Sequence, residues 1–375
     1  MKIAIYCSFL LLAYARIAAQ SLPQTQNIFI ITTDGFRWQE VFTGADSALL
    51  NNSSYVRDTS LMKALYWDED PGARRKKLMP FFWNVIAEKG QLYGDRLFEN
   101  KVNVKNLYKI SYPGYNEIFT GYTDPLIMIN LPRNNRNPNI LEYLNNEAGY
   151  RGKVVAFSSW NLFPYILNAE RSRFPINSGY EKMPDLDNDT LFRLFNSMQD
   201  KVLHQSHTRM DCLTFLNARQ YIEQYQPRIV FIGLGETDEF AHAGRYDLYL
   251  QQATAIDKMI ADLWYYVQTN PFYKDKTTFI ISTDHGRGDK TSNWHTHSFL
   301  TKGSAETWLA MLGPGIAPKG ELKTAEQTYE NQYASTIALL LGFKFESSRH
   351  IGKPILLPEM EPVSALAKGN PLLSK

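Results

Sequence analysis

A chain of 375 residues, 44 % of them hydrophobic and 21 % charged, can bury a large core, and those fractions exclude a disordered or collagen-like chain. Its 40 Lys and Arg stand against 38 Asp and Glu, for a net charge of +2. The basic residues are scattered, and the one dense run, Arg74 to Lys77, is too short for a nucleic-acid-binding surface; it reads as a solvated loop before a helix.

In chain order, the first element is a targeting segment. Lys2 precedes an apolar run from Ile3 to Ala15, with small residues for cleavage near Ala19 or Gln20. Residues 1–20 therefore read as a bacterial-type signal peptide, and 21–375 as one exported domain, periplasmic or secreted. The apolar run falls short of the roughly 20 residues a membrane span needs, and no other stretch approaches that length, so no transmembrane segment is expected. Cleavage removes Cys7 and leaves Cys212 alone, which excludes an internal disulfide. No pattern sets an oligomeric state.

Four β-branched runs predict buried strands at 28–32, 153–157, 228–234 and 277–282. Helical spacing predicts helices at 79–89, with Pro80 in the first turn, and at 211–225, 246–267 and 331–341. Polar stretches at 51–70 and 130–139 read as long loops or small insertions. The alternation gives an α/β fold with a mostly parallel central sheet sandwiched by helices. In such sheets ligands gather beyond the carboxyl ends of the strands.

Three predicted strands run into side chains that suit a metal. "NIFIITTDG" ends in Asp34, "RIVFIGLGETDEFAH" leads to Asp238 and His242, and "TTFIISTDHG" ends in Asp284 and His285. Each alone reads as a turn or helix cap. On one edge of a parallel sheet the carboxylates would crowd together and resist ionisation unless cations neutralise them. Mixed carboxylate and imidazole ligands suit zinc and tolerate manganese. "NWHTHS" adds His295 and His297; His204 and His207 lie in a polar helical stretch and read as solvated.

The ordered set "TTDG", "SYPGYNEIFTG", "ETDEFAH", "STDHG" and "HTHS" resembles the alkaline phosphatase superfamily over nearly the whole mature chain. The likeness is nearest to the nucleotide pyrophosphatase/phosphodiesterase branch. The resemblance implies two divalent metal ions, zinc or manganese. Asp34, Asp284 and His285 would hold one together with Ser111; Asp238, His242 and one of His295 or His297 would hold the other. His297 is preferred, because it precedes the small Ser298.

The resemblance also implies Ser111 as nucleophile at a strand-to-helix turn, forming a phosphoseryl intermediate, where residues alone would suggest an N-cap. Asn116, Asn130 and Asn135 are the candidates for holding a phosphate oxygen. Tyr115 stands where a sulfatase would carry Arg, and no Arg lies near Ser111 in sequence; both points favour a small phosphate ester substrate, diesters over monoesters. Arg37 and Arg287, beside the metal motifs, read as surface or ion-pair residues. The other readings are a phosphomonoesterase, a phosphonate or sulfate ester hydrolase, and a non-catalytic metal-dependent binding module.

Overall fold

The computed structural model describes residues 25–184 and 189–357. The proposed signal peptide at 1–20 lies outside them. No described helix is long and apolar enough to cross a membrane, and Cys212 is a free, exposed thiol.

Among the described residues eleven strands form, in chain order: β1 (Asn27–Thr33), β2 (Gly90–Tyr93), β3 (Asn100–Asn103), β4 (Val154–Ser158), β5 (Ile176–Ser178), β6 (Ile229–Leu234), β7 (Thr277–Ser282), β8 (Glu306–Thr307), β9 (Leu309–Leu312), β10 (Gly320–Glu321) and β11 (Glu326–Tyr329). Eight of them make one sheet in the order β10-β2-β9-β7-β1-β6-β4-β5, and β11-β3-β8 make a smaller one. β1 pairs in parallel with both β6 and β7, and β4 in parallel with β5 and β6. β9 runs antiparallel to its neighbours β7 and β2, so the sheet is mostly parallel, as expected.

The four predicted strands are the four central parallel ones, and their period-2 alternation explains why each run is apolar throughout. Phe29, Ile31, Val230 and Ile232 enter one core, while Ile28, Ile30, Ile229 and Phe231 enter the other. A strand covered on both faces has no polar side to show. The core facing Phe29 contains the long helix Tyr246–Thr269, and the opposite core contains the helices Ser111–Thr120 and Tyr333–Leu340.

Several local expectations are corrected. The 51–70 stretch holds the helix Thr59–Tyr66, capped by the Asp58 carboxylate accepting from Leu61 N; Met62 and Tyr66, four apart, bury one face of it. The 79–89 segment is wound as a π-helix over Phe82–Ile86, because Asp257 accepts from both Phe81 N and Phe82 N and so frees the first turn from ordinary spacing. Arg74 to Lys77 belong to the helix Pro71–Leu78, where Arg75 stacks on Trp83 and pairs with Glu321. His204 and His207 are exposed as expected, but on irregular backbone rather than a helix.

Candidate metal centre

β6, β1 and β7 lie side by side, and their carboxyl ends place the candidate ligands. Thr33 is level with Leu234 on one side, and Thr32 with Ser282 on the other. One residue past β1 comes Asp34. Past β6, the helix Glu236–His242 puts Asp238 and His242 four apart on one face. Past β7 the chain turns through Thr283 into Asp284 and His285.

Two groups of ligand atoms lie within 4.8 Å of one another: Asp34, Asp284 and His285, and Asp238, His285 and His297. His242 adjoins the second, with Nε2 3.3 Å from Asp238 Oδ2 and 3.0 Å from His297 Nε2. His285 lies between the groups, its ring stacked on that of His297 at 3.8 Å. His295 is in neither group; its ring lies against Tyr55 and Trp294, and Arg287 Nη1 donates to its backbone carbonyl.

Imidazole orientation follows from neighbouring carbonyls. His285 Nδ1 is 3.0 Å from Gly286 O and His297 Nδ1 is 3.1 Å from Lys109 O. A proton on each Nδ1 satisfies those bonds and turns the Nε2 lone pair towards the carboxylates, the orientation that metal-binding histidines adopt. Gly35 N donates to Asp284 Oδ1, whereas Asp284 Oδ2 is buried with no donor.

The charges are finely balanced. Burial and the nearby Asp34 push the Asp284 carboxyl up to about 7. For His285 burial acts downward, but Asp284 and Asp34 outweigh it and raise the imidazole to about 9. Burial, then His285 and Arg287, hold His297 well below its ordinary value. The neutral His297 imidazole and the orphaned Asp284 oxygen fit divalent cations, which would displace the proton that His285 holds in their absence.

Ser111 opens the helix Ser111–Thr120, whose ten residues are all buried. The N-cap is Ile110, not Ser111, and a loop rather than a strand precedes it. The Ser111 hydroxyl lies 3.4 Å from Asp34 Oδ1 and 3.3 Å from His285 Nε2. Gly114 lets this helix approach: a Cβ there would fall 2.2 Å from Asp284 O. Tyr115, one turn on, turns its hydroxyl to Asp34 Oδ2 at 3.3 Å.

The three asparagines part company. Asn130 Oδ1 accepts from Tyr112 N at 2.9 Å, which fixes its amide beside Ser111. Asn116 and Asn135 are bonded to each other instead. Asn116 donates to Tyr122 O and accepts from Asn135 and Asn137, so both are spent tying down the loop after the helix.

Arg37 and Arg287 are ion-paired but buried, not surface residues. Arg37 pairs with Glu40 and donates to Gly288 O. Arg287 pairs with Asp238 and donates to Gly35 O and His295 O, joining three motif loops. Tyr115 and Arg287 therefore touch the site through roles that sequence reasoning missed; the departure from a sulfatase at Tyr115 was the one available signal. Behind the site, Glu117 accepts from Lys105 N, Asn106 N and Asn331 N, while the Glu330 carboxylate is buried with no donor. Burial, then Glu117 and Asp284, raise Glu330 well above the usual carboxylate range.

No family model matches the sequence, and no curated protein matches it. Solved structures do. Alkaline phosphatase PafA superposes with a TM-score of 0.55 at 11 % identity, over 90 % of this chain and 99 % of that one. A 2-O GAG sulfatase, BT1596, gives 0.53 at 12 % identity, over 87 % and 72 %. The lipoteichoic acid synthase LtaP from Listeria monocytogenes gives 0.51 at 11 % identity, over 87 % and 74 %. At these identities the likeness is one of fold, shared with an alkaline phosphatase, a sulfatase and a lipoteichoic acid synthase.

Proposed function

We propose that this alkaline-phosphatase-fold chain is a two-metal hydrolase of phosphate esters that works through a phosphoseryl intermediate and favours diesters. The observation that carries the reading is the Ser111 hydroxyl at a buried helix N-terminus, within 3.4 Å of Asp34 and 3.3 Å of His285. In this reading Asp34, Asp284 and His285 hold one divalent cation beside Ser111, and Asp238, His242 and His297 hold the other. Zinc suits the donors best, with manganese second. Held by these residues, divalent cations would supply Lewis-acid stabilisation of the charge that develops on the phosphate ester.

The residues of the chain do the rest. Ser111 Oγ passes its proton to solvent and attacks phosphorus as the P–O bond to the leaving group breaks, and the leaving oxygen takes up a proton from solvent. Water then attacks the phosphoserine, its oxygen staying on phosphorus while the Ser111 Oγ–P bond breaks and Oγ is reprotonated. In the first helical turn Tyr112 N donates to Asn130 Oδ1, Pro113 has no N–H and Gly114 N donates to Ile110 O, which leaves Ser111 N and the Asn130 NH2 group to meet the anionic phosphate. Tyr115 braces Asp34 from behind. Arg37 and Arg287 are committed to Glu40 and Asp238, so neither is free to neutralise a second phosphate charge. A monoester dianion gains more from such a clamp than a diester does, which supports the diester preference.

Hydrolysis of sulfate esters is the second reading, favoured by the fold shared with a sulfatase. The buried Tyr115, in place of the Arg expected there, opposes it. Turnover of matched aryl phosphate diester, phosphate monoester and sulfate substrates by zinc- or manganese-loaded protein separates the readings. A diester kcat/KM at or above that of the monoester, abolished by Ser111→Ala with the fold intact, is expected. Sulfate as the best substrate, or Ser111→Ala within a few-fold of wild type, would overturn it.

A further inference from the structure

We propose that the groove beside Ser111 seats an apolar chain, so that the preferred substrates are amphiphilic phosphate diesters bearing an alkyl or acyl group. The inference rests on the phosphoester reading and narrows its substrate class. A cavity of about 600 Å³ lies against Tyr112, the residue after Ser111, within the ~300–1,000 Å³ typical of small-molecule pockets. One side of its wall is aliphatic, Leu126, Ile127, Met128, Ile129 and Leu131, and the other is polar, Arg133 to Arg136. Asn130, between them in sequence, accepts from Tyr112 N, which ties this loop to the first turn of the helix that Ser111 opens.

The loop that presents these side chains is firmly anchored. Asp124 pairs with Arg136 and accepts from Asn137, and Asn116 and Asn135 bond beneath it. Yet Leu126 is 64 % exposed, Ile129 56 % and Met128 51 %. Rigidly held apolar groups facing water mark a binding surface more than a loose loop does. The apolar rim continues around the pole. Tyr108 Oη donates to Pro125 O and Lys109 Nζ to Phe299 O, locking together three loops that carry the exposed Leu107, Leu126 and Phe299.

The wall chemistry chooses an aliphatic group over a nucleoside. A base needs flat stacking partners, and the polar side of the lining, Arg133 to Arg136, offers donors but no ring. Tyr112 is the one aromatic ring among the described lining residues, and its hydroxyl is already bonded to Arg133 O and Tyr165 O.

The test uses the metal-loaded full chain and p-nitrophenyl diesters whose second ester group is methyl, butyl, octyl or thymidine, all below micelle-forming concentration. Burial of a methylene is worth up to about fourfold, so kcat/KM should rise at least about 30-fold from methyl to octyl. Ile129→Asp and Met128→Asp, at exposed positions outside the core, should each flatten that slope at least fivefold (on the order of the loss of one to two buried methylenes). A methyl diester that turns over with no dependence on chain length would overturn the inference and leave the phosphoester reading intact. So would a thymidine ester that outruns octyl, or a chain-length effect seen only with substrate in phosphatidylglycerol vesicles, which would make the rim a surface-docking patch. No turnover of any ester would instead remove the phosphoester reading, and this inference with it.

Discussion

Replacing Gly114 by Ala sets local preference against tertiary contact. Within a helix, Ala is favoured over Gly by about 1 kcal/mol, so the helix Ser111–Thr120 on its own should gain. In the folded protein the new Cβ would fall 2.2 Å from Asp284 O, where ordinary contact begins at 3.4 Å, so helix and loop must part by about 1.2 Å. Overpacking of that kind costs roughly 1–3 kcal/mol, which leaves a net loss of at most about 2 kcal/mol. The functional effect should be larger. Ser111 rides on that helix 3.3 Å from His285, and a displacement near 1 Å at a reacting group costs about 100-fold. We therefore expect Gly114→Ala to fold, to melt only a few degrees lower, and to lose about 100-fold in kcat/KM on an aryl diester. Thermal unfolding and steady-state kinetics on metal-saturated protein measure both quantities. A variant with a raised Tm and activity within threefold of wild type would refute the reasoning, because the helix could then shift without disturbing the site.

Further outcomes follow from the same geometry. Chelation should lower the Tm, and added zinc or manganese restore it, by about 4 kcal/mol of stabilisation at a thousandfold excess over Kd; a Tm indifferent to chelator would count against cations at this pole. His297→Ala should release one metal by elemental analysis and cost orders of magnitude in rate, whereas His295→Ala should keep both metals and lose less than about tenfold; the reverse order would place the ligand two residues earlier. Glu330→Gln should stabilise the metal-loaded protein by about 1–3 kcal/mol at pH 8 and by much less near pH 5. The sign follows from a carboxyl whose folded pKa is raised: the native state holds a proton that the unfolded state has released, so stability falls as pH climbs above the ordinary value near 4.5. An equal gain at both pH values would mean that Glu330 acts through packing alone.

The strands were readable because a doubly covered parallel strand is buried along its whole length, and β1, β4, β6 and β7 each carry a continuous apolar run through their middle. The helices Asp211–Tyr225 and Tyr246–Thr269 showed themselves by spacing. β9, inserted against the direction of its neighbours, left no such mark, since pairing sense is not written into a four-residue apolar run. The candidate site was legible where strand ends supplied Asp34, Asp238, Asp284 and His285. It was not legible where a side chain's direction decides. The helix Ser111–Thr120 is buried all round, so no periodicity tells that Tyr115 faces Asp34 while Asn116 faces the loop. Arg287 gave no local hint either, because its partners are the Gly35 carbonyl, more than 250 residues away, and Asp238.

The strand order has a consequence in time. Asp34 stands between partners supplied by β6 and β7, whose hydrogen-bonded neighbours in β1 are separated from them by just over half and by two-thirds of the chain. A polypeptide growing from its N-terminus has its first ligand early and can do nothing with it. Until His285 and His297 have been made, neither group of ligands is complete. Capture of the cations would thus mark a finished molecule, and any fragment cut short of β7 would lack both groups.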